Sequence, residues 1–412
     1  MTNPCPEESC VGCFACVDAC PFSAITKSQN ERGFYVPSVS AEKCRDCGKC
    51  VKTCPANVSP EIEDYPKRVY AFWSKDAALL RASTSGGFFS ILAERILSEG
   101  GEVWGAAFDE ALVLRAQRAR NASELAPLRR SKYVQSDASG VYSEVRATLQ
   151  SGRRALFVGT PCQCAALRNF LGRSYDNLVV MDFVCHGVPS LELFRAYLTD
   201  LSKRLGNASG IKAVNFRVKL QGWSGSGIEA LFNDGQAYRA GFFTDPYLIA
   251  FTTNLALNNP CYACRYANLS RPSDITVSDY WGYMSRKWKT RDRNVGISMA
   301  MINTRRGGEI YDALVVEKGD EIVSVETPLE EAAAGNPCLS RSFPASKNRD
   351  AFWRAFLESG KDFGACAEFC RPRKKSFKSK LSVWIRSHLY LAPAPLQRLY
   401  LKLQFRRRVQ RR

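Results

Sequence analysis

Eight cysteines within the first 54 residues fall into two copies of one pattern, C-x2-C-x2-C-x3-C followed by proline. The copies are Cys10, Cys13, Cys16, Cys20 with Pro21, and Cys44, Cys47, Cys50, Cys54 with Pro55. Three thiolates at a spacing of three wrap one loop around three corners of an iron–sulfur cubane, and the fourth, redirected by proline, reaches the other cluster. The repeat therefore predicts two 4Fe-4S clusters, one on Cys10, Cys13, Cys16 and Cys54, the other on Cys44, Cys47, Cys50 and Cys20. Zinc knuckles seldom use three consecutive C-x2-C steps, and disulfides suit oxidising compartments. Cys5 lies outside the pattern and reads as a spare thiol. Two clusters in a small module pass electrons singly, so the rest of the 412-residue chain should hold what those electrons serve.

Composition narrows the remaining chemistry. His186 and His388 are the only histidines, which disfavours His-rich zinc sites and Ser-His-Asp catalysis. The formal charge is +18, but residues 371–412 hold fourteen Lys or Arg and no acid, leaving 44 basic against 40 acidic residues elsewhere, a net +4. A nucleic-acid-reading core is disfavoured on that balance. In the tail, Lys378, Lys380 and Arg386 are interleaved with Phe377, Trp384 and Tyr390, which predicts peripheral contact with an anionic membrane surface, unless the tail is solvated or packs on the body. No export signal and no run of about 18 apolar residues is present, so a cytoplasmic protein is expected, touching at most the inner face of the membrane.

Beyond Pro66 the pattern alternates. Arg68–Trp73 reads as a strand, Ser83 to Gly87 opens a helix that stops at Gly100-Gly101, and Val103–Phe108 reads as a strand. Ala155–Val158 is a strand, Gly159 to Cys164 a turn, Ala165–Leu171 a helix and Leu178–Val184 a strand. This is βαβ alternation, and the expected class is α/β (α+β) with parallel units behind a small ferredoxin-like domain. Residues 211–220 and 229–238 read as an inserted pair of strands. Expected boundaries are 1–60, 66–150, 151–345 and a helical extension with basic tail, 346–412. If the strands before Cys162 and Cys185 are parallel neighbours, both thiols share a rim. With Cys261 and Cys264 they could hold a third 4Fe-4S cluster, Cys164 being a substitute for Cys162; a structural zinc or unliganded core thiols are the alternatives. Ser83, Thr84, Ser85, Gly86 and Gly87 before a helix suit a diphosphate, or simply cap the helix.

Six motifs occur in order: Ser83 to Gly87, Lys132-Tyr133-Val134-Gln135-Ser136, Gly159 to Gln163, Cys185-His186-Gly187-Val188-Pro189-Ser190, Cys261-x2-Cys264, and Ser273-Asp274-Ile275-x3-Asp279-x-Trp281-Gly282. Together they resemble the beta subunit of coenzyme F420 hydrogenase and dehydrogenase, and through it 7-hydroxymethyl chlorophyll a reductase, over about residues 67 to 345. The resemblance implies FAD, a further 4Fe-4S cluster at the matching cysteines, and two-electron chemistry at the flavin. Lys132 and Tyr133 then contact FAD or form an exposed basic loop, and Asp279 binds flavin hydroxyls or caps a strand. His186 orders its turn or moves protons. The implied function is an iron–sulfur flavin oxidoreductase between a protein electron donor or acceptor and a small-molecule hydride substrate. A non-catalytic electron-transfer and docking subunit of a larger complex is the other reading.

Overall fold

The computed structural model describes residues 3–283 and 296–371. The expected membrane-contact segment, from Pro372 onward, lies outside the described residues. β1 (Ile25–Gln29) and β2 (Tyr35–Val39) form an antiparallel hairpin between two short helices, Ala15–Ala19 and Lys49–Thr53. The main sheet begins with β3 (Arg68–Ser74), β4 (Glu102–Phe108), β5 (Leu114–Ala119), β6 (Ala155–Gly159) and β7 (Leu178–Phe183). A separate antiparallel sheet follows, of β8 (Ile211–Val218), β9 (Gly227–Phe232) and β10 (Ala237–Gly241). The chain then returns to the main sheet with β11 (Ile275–Asp279), β12 (Ser298–Ile302) and β13 (Ile322–Thr327).

The strand order is β13-β3-β12-β11-β7-β6-β4-β5. β11, β7, β6 and β4 are parallel neighbours, and the flanking pairs are antiparallel. The class is mixed α/β, as expected. Parallel strands are buried on both faces, and β7 shows it: Val179 and Met181 face the layer of helices Phe88–Ser98 and Arg305–Lys318, while Val180 faces helices Val141–Gln150 and Pro161–Leu171. Because β6 and β7 pair in parallel, Cys162 and Cys185 do follow adjacent strand ends on one rim.

The helix expected from Ala165 starts four residues earlier, at Pro161. Thr160 and Gln163 form a reciprocal capping box, and Pro161 occupies the first helical position, where its missing N–H costs nothing. Cys162 therefore sits in the first helical turn, not in a turn before it. The N-terminal module does not keep its apolar residues to itself: Phe14, Phe34 and Tyr35 belong to the same cluster as Leu114, Tyr197, Phe216 and Trp353. Among the described residues no helix is long and apolar enough to cross a membrane.

Candidate functional site

The duplicated cysteine loops are brought together across the repeat. Cys13 and Cys16 lie within electrostatic reach of Cys10 and of Cys54, the cysteine from the other copy. Cys20, Cys44, Cys47 and Cys50 line one small cleft. The fourth cysteine of each copy thus lies with the first three of the other. Cys16 also feels Cys50, so the two sets adjoin. Cys5 is not remote: its thiol is within hydrogen-bond reach of Cys10 and Cys54. Phe14 and Gly48 take the left-handed conformation just before the two short helices.

On the rim of the main sheet, Cys185 lies within reach of Cys261, Cys162 and Cys264. Burial, with Cys264 or Cys162 beside them, pushes the thiols of Cys162 and Cys261 up to about 12. Coordination deprotonates a thiol, and four thiols within reach of one another are a donor set of the kind a 4Fe-4S cluster takes. Among the described residues no group of three or more His, Cys, Asp or Glu is drawn close enough to hold a metal ion. Cys164 does not substitute for Cys162: it is fully buried, and its sulfur faces the carbonyls of Gly159 and Met181. It lies two positions on from Cys162 in the helix, which turns it into the core.

The rim thiols are tied to the N-terminal module. Asn258 donates to the Cys10 carbonyl at 3.1 Å, Arg265 to the Ala56 carbonyl at 2.7 Å, and the Tyr266 hydroxyl to the Pro55 carbonyl at 2.8 Å. Tyr266 lies within electrostatic reach of Cys13 and also of Cys162 and Cys264. Beneath the loop, the buried guanidinium of Arg271 meets Asp182 at 3.0 Å and donates to the carbonyls of Tyr266 and Phe183. That pair fastens the Cys261 loop to the strand that leads to Cys185.

The same rim opens into a cavity of about 460 Å³ at the carboxyl ends of the parallel strands, where ligands of such sheets bind. Cys185, His186 and Cys338 line it, as do Ser83, Thr84, Ser85, Gly87, Lys132, Tyr133 and Asp279. Helix Phe88–Ser98 points its N-terminus here: Gly87 holds the N-cap in the left-handed conformation with φ +91°, and no side chain caps it. The capping alternative therefore fails, and uncapped N–H groups at a helix start suit an anion. Gly86 is a correction. It does not line the cavity, and an added Cβ would stand 2.1 Å from the Phe72 carbonyl oxygen and 2.7 Å from the Ser298 nitrogen. Its bareness serves the close approach to β3 and β12. Ser85 and Thr84 spend their hydroxyls within the protein, on the Ile297 carbonyl and the Ser131 N–H.

Lys132 is no exposed basic loop. Its ammonium donates to the carbonyls of Pro127 and Arg129, and burial, with Arg130 beside it, pulls its pKa down to about 7. Tyr133 packs among Phe216, Phe242 and Phe251, and burial raises its phenol to about 12. Asp279, at the end of β11, accepts from Arg217 at 2.7 Å and from the Trp223 indole at 2.6 Å, and Trp223 stacks on Trp281 at 4.6 Å. The His186 ring rests against Phe251 and Phe343, with the Asn254 side chain and the Phe251 backbone within hydrogen-bond reach.

Comparison with known proteins bears on both halves. Residues 9–58 match the 4Fe-4S dicluster domain, and residues 152–327 match the family described as the C terminus of the coenzyme F420 hydrogenase/dehydrogenase beta subunit. The N-terminal module is similar to an uncharacterized ferredoxin of Methanocaldococcus jannaschii, 36% identical over 67 residues, which are 15% of this chain and 86% of that protein. It is also similar to one component of the Na(+)-translocating ferredoxin:NAD(+) oxidoreductase complex of Acetobacterium woodii, 33% identical over 79 residues, 18% of this chain and 22% of that component. The chain thus spans about a fifth of that relative's length. A chain of the F420-reducing [NiFe] hydrogenase complex of Methanosarcina barkeri, solved as a xenon derivative, aligns with a TM-score of 0.44 at 16% identity, covering 74% of this chain and 89% of that one.

Several residues of this cavity carried no sequence signal of their own. Arg217 sits at an irregularity between β8 and β9 with φ +60°, and that kink aims it at Asp279. Cys338 is buried beside the His186 Nδ1 at 3.7 Å. The run Gly335-Asn336-Pro337-Cys338, all lining the cavity, was the cue available.

Proposed function

We propose that the chain is an iron–sulfur flavoprotein oxidoreductase. Its two N-terminal 4Fe-4S clusters exchange single electrons with a protein partner, a third cluster on Cys162, Cys185, Cys261 and Cys264 relays them, and FAD in the cavity exchanges a hydride with a small molecule. One observation carries this reading: Cys185 belongs both to the thiol set docked on the dicluster module and to the wall of the cavity.

The cavity fits a flavin on this chain's own features. Its volume lies in the range of cofactor clefts, about 300–1,000 Å³. An uncapped helix N-terminus with Arg130 and Lys132 supplies an anion end, and Phe251, Phe343 and Trp281 supply apolar walls. FAD, when bound, joins one-electron clusters to a substrate that takes or gives a hydride. Lys132 and the N–H groups after Gly87 hold the diphosphate, Asp279, itself held by Arg217 and Trp223, orients the far end, and the aromatic wall excludes water. His186, whose pKa burial lowers, lines the cavity beside Cys185.

Anaerobically purified protein should contain about twelve iron atoms, four per cluster, and one FAD. Cys261→Ala should remove about four iron atoms and leave the dicluster signal. Full iron in that variant, or a zinc-loaded, flavin-free native protein, overturns the reading.

A further inference from the structure

The outer end of the dicluster module presents a surface that the internal path does not use. Cys10, Cys13, Cys16 and Cys54 are buried, whereas in the other set Cys47 is exposed and Cys20 and Cys44 are half-buried. Around this second site the exposed side chains are Lys43, Arg45, Lys49 and Lys52 against Glu42 and Asp46. Lys43, Lys49 and Lys52 have no ion-pair or hydrogen-bond partner among the described residues. Phe22, next to Cys20 and on the same cleft, is 45% exposed, an uncommon position for a large aromatic ring. Residues 1–60 as a whole hold six basic and six acidic side chains, so the excess of cations is local to the second motif.

We propose that this face docks an acidic one-electron carrier protein, a step that rests on the electron path above. Free cations around an exposed cluster steer a negatively charged partner into register, and the Phe22 ring supplies the apolar contact at the centre. The transfer moves one electron from the carrier's reduced centre to the cluster on Cys44, Cys47, Cys50 and Cys20, or back. The donor is oxidised and the acceptor reduced by one electron, and no bond or proton changes place.

The test uses full-length, cluster-loaded protein with Lys43→Glu, Lys49→Glu and Lys52→Glu combined. A control carries Lys203→Glu, Lys212→Glu and Lys347→Glu, exposed positions elsewhere with the same change in total charge. Anaerobic stopped-flow follows reduction by a small acidic two-cluster ferredoxin and, separately, by reduced methyl viologen. At low ionic strength the first variant should accept electrons from the ferredoxin at least about tenfold more slowly, with a flattened salt dependence. Its iron content should be unchanged, its reduction by viologen should not be slowed, and the control should stay near the native rate. A native rate and salt dependence in the first variant, an equal loss in the control, slowed viologen reduction, or no reaction of the native protein with the acidic carrier overturns the proposal. Protein that lacks iron after anaerobic preparation sinks the electron path itself, whereas iron-replete protein reduced by viologen but indifferent to the charge reversal leaves the path standing and removes only the docking face.

Discussion

At the scale of single residues, the diphosphate segment shows how one motif serves two ends. Gly86 and Gly87 are adjacent, but only Gly87 lines the cavity, and only Gly86 lies against the backbones of β3 and β12. A Cβ at Gly86 meets backbone atoms that cannot rotate away, so Gly86→Ala should lower the thermal midpoint of flavin-free protein rather than flavin occupancy alone. A native midpoint with weakened flavin would return Gly86 to the cavity. Lys132 gives a second expectation, with a sign. Its amine loses its proton near pH 7, and an adjacent anion favours the protonated form. The flavin diphosphate should therefore bind better to protonated Lys132, and FAD affinity should weaken as pH rises above 7, by up to about tenfold per pH unit. Lys132→Met should bind more weakly at pH 6.5 and lose that dependence in a flavin titration. Affinity independent of pH from 6.5 to 9 would separate Lys132 from the diphosphate.

At the scale of elements, what could be read from sequence was local. The thiol repeat and the strand–turn–helix around Cys162 declare themselves within about twenty residues, because ligand spacing and hydrophobic period are short-range properties. Even there the helix began at Pro161 because a side-chain cap outweighed the apolar period. What stayed hidden depends on contacts far along the chain: Arg217 reaches Asp279 across 62 positions through a kinked strand, and the order of the main sheet sets β3 between β12 and β13. Glu102 is a structural element of this kind. It is buried at the start of β4, bonds Thr148 at 2.7 Å and Arg153 at 2.6 Å, and pairs with Arg118 at 3.4 Å and Arg120 at 3.3 Å. Burial pushes its carboxyl up, but Thr148 and the three arginines together hold it below the usual range. A lowered folded pKa means stability that is present above the ordinary carboxylate value, about 4.3, and is lost as pH falls through the folded one. Glu102→Gln should cost about 1–3 kcal/mol near neutral pH, and the gap in urea midpoint should narrow in acid. A gap that widens on acidification contradicts this account.

At the scale of the whole molecule, the cysteine repeat suggests a ferredoxin attached in front of a separate body, and the packing shows otherwise. Phe14, Phe34 and Tyr35 are at most 5% exposed because they lie against the body, with Phe34 on Trp353 at 5.7 Å between ring centres. The polar seam is as close: Gln135 accepts from the Tyr35 N–H at 2.7 Å, Tyr142 donates to the Cys13 carbonyl at 2.9 Å, and Asp18 accepts from Gly140 and Ser143 at the start of helix Val141–Gln150. A chain starting at Pro66 would bare that apolar face. Each large apolar side chain removed from such a contact is worth about 1.5–3 kcal/mol, and three of them approach the 5–15 kcal/mol that holds a typical domain. The truncated chain should therefore aggregate or melt well below the full-length protein, whatever its iron content. Full-length Cys13→Ser keeps Phe14, Phe34 and Tyr35 and should stay soluble while losing one cluster signal by paramagnetic resonance. The two variants separate loss of a cluster from loss of the contact. A soluble, monomeric chain from Pro66 with a native thermal midpoint would show that the module adds nothing to the stability of the body.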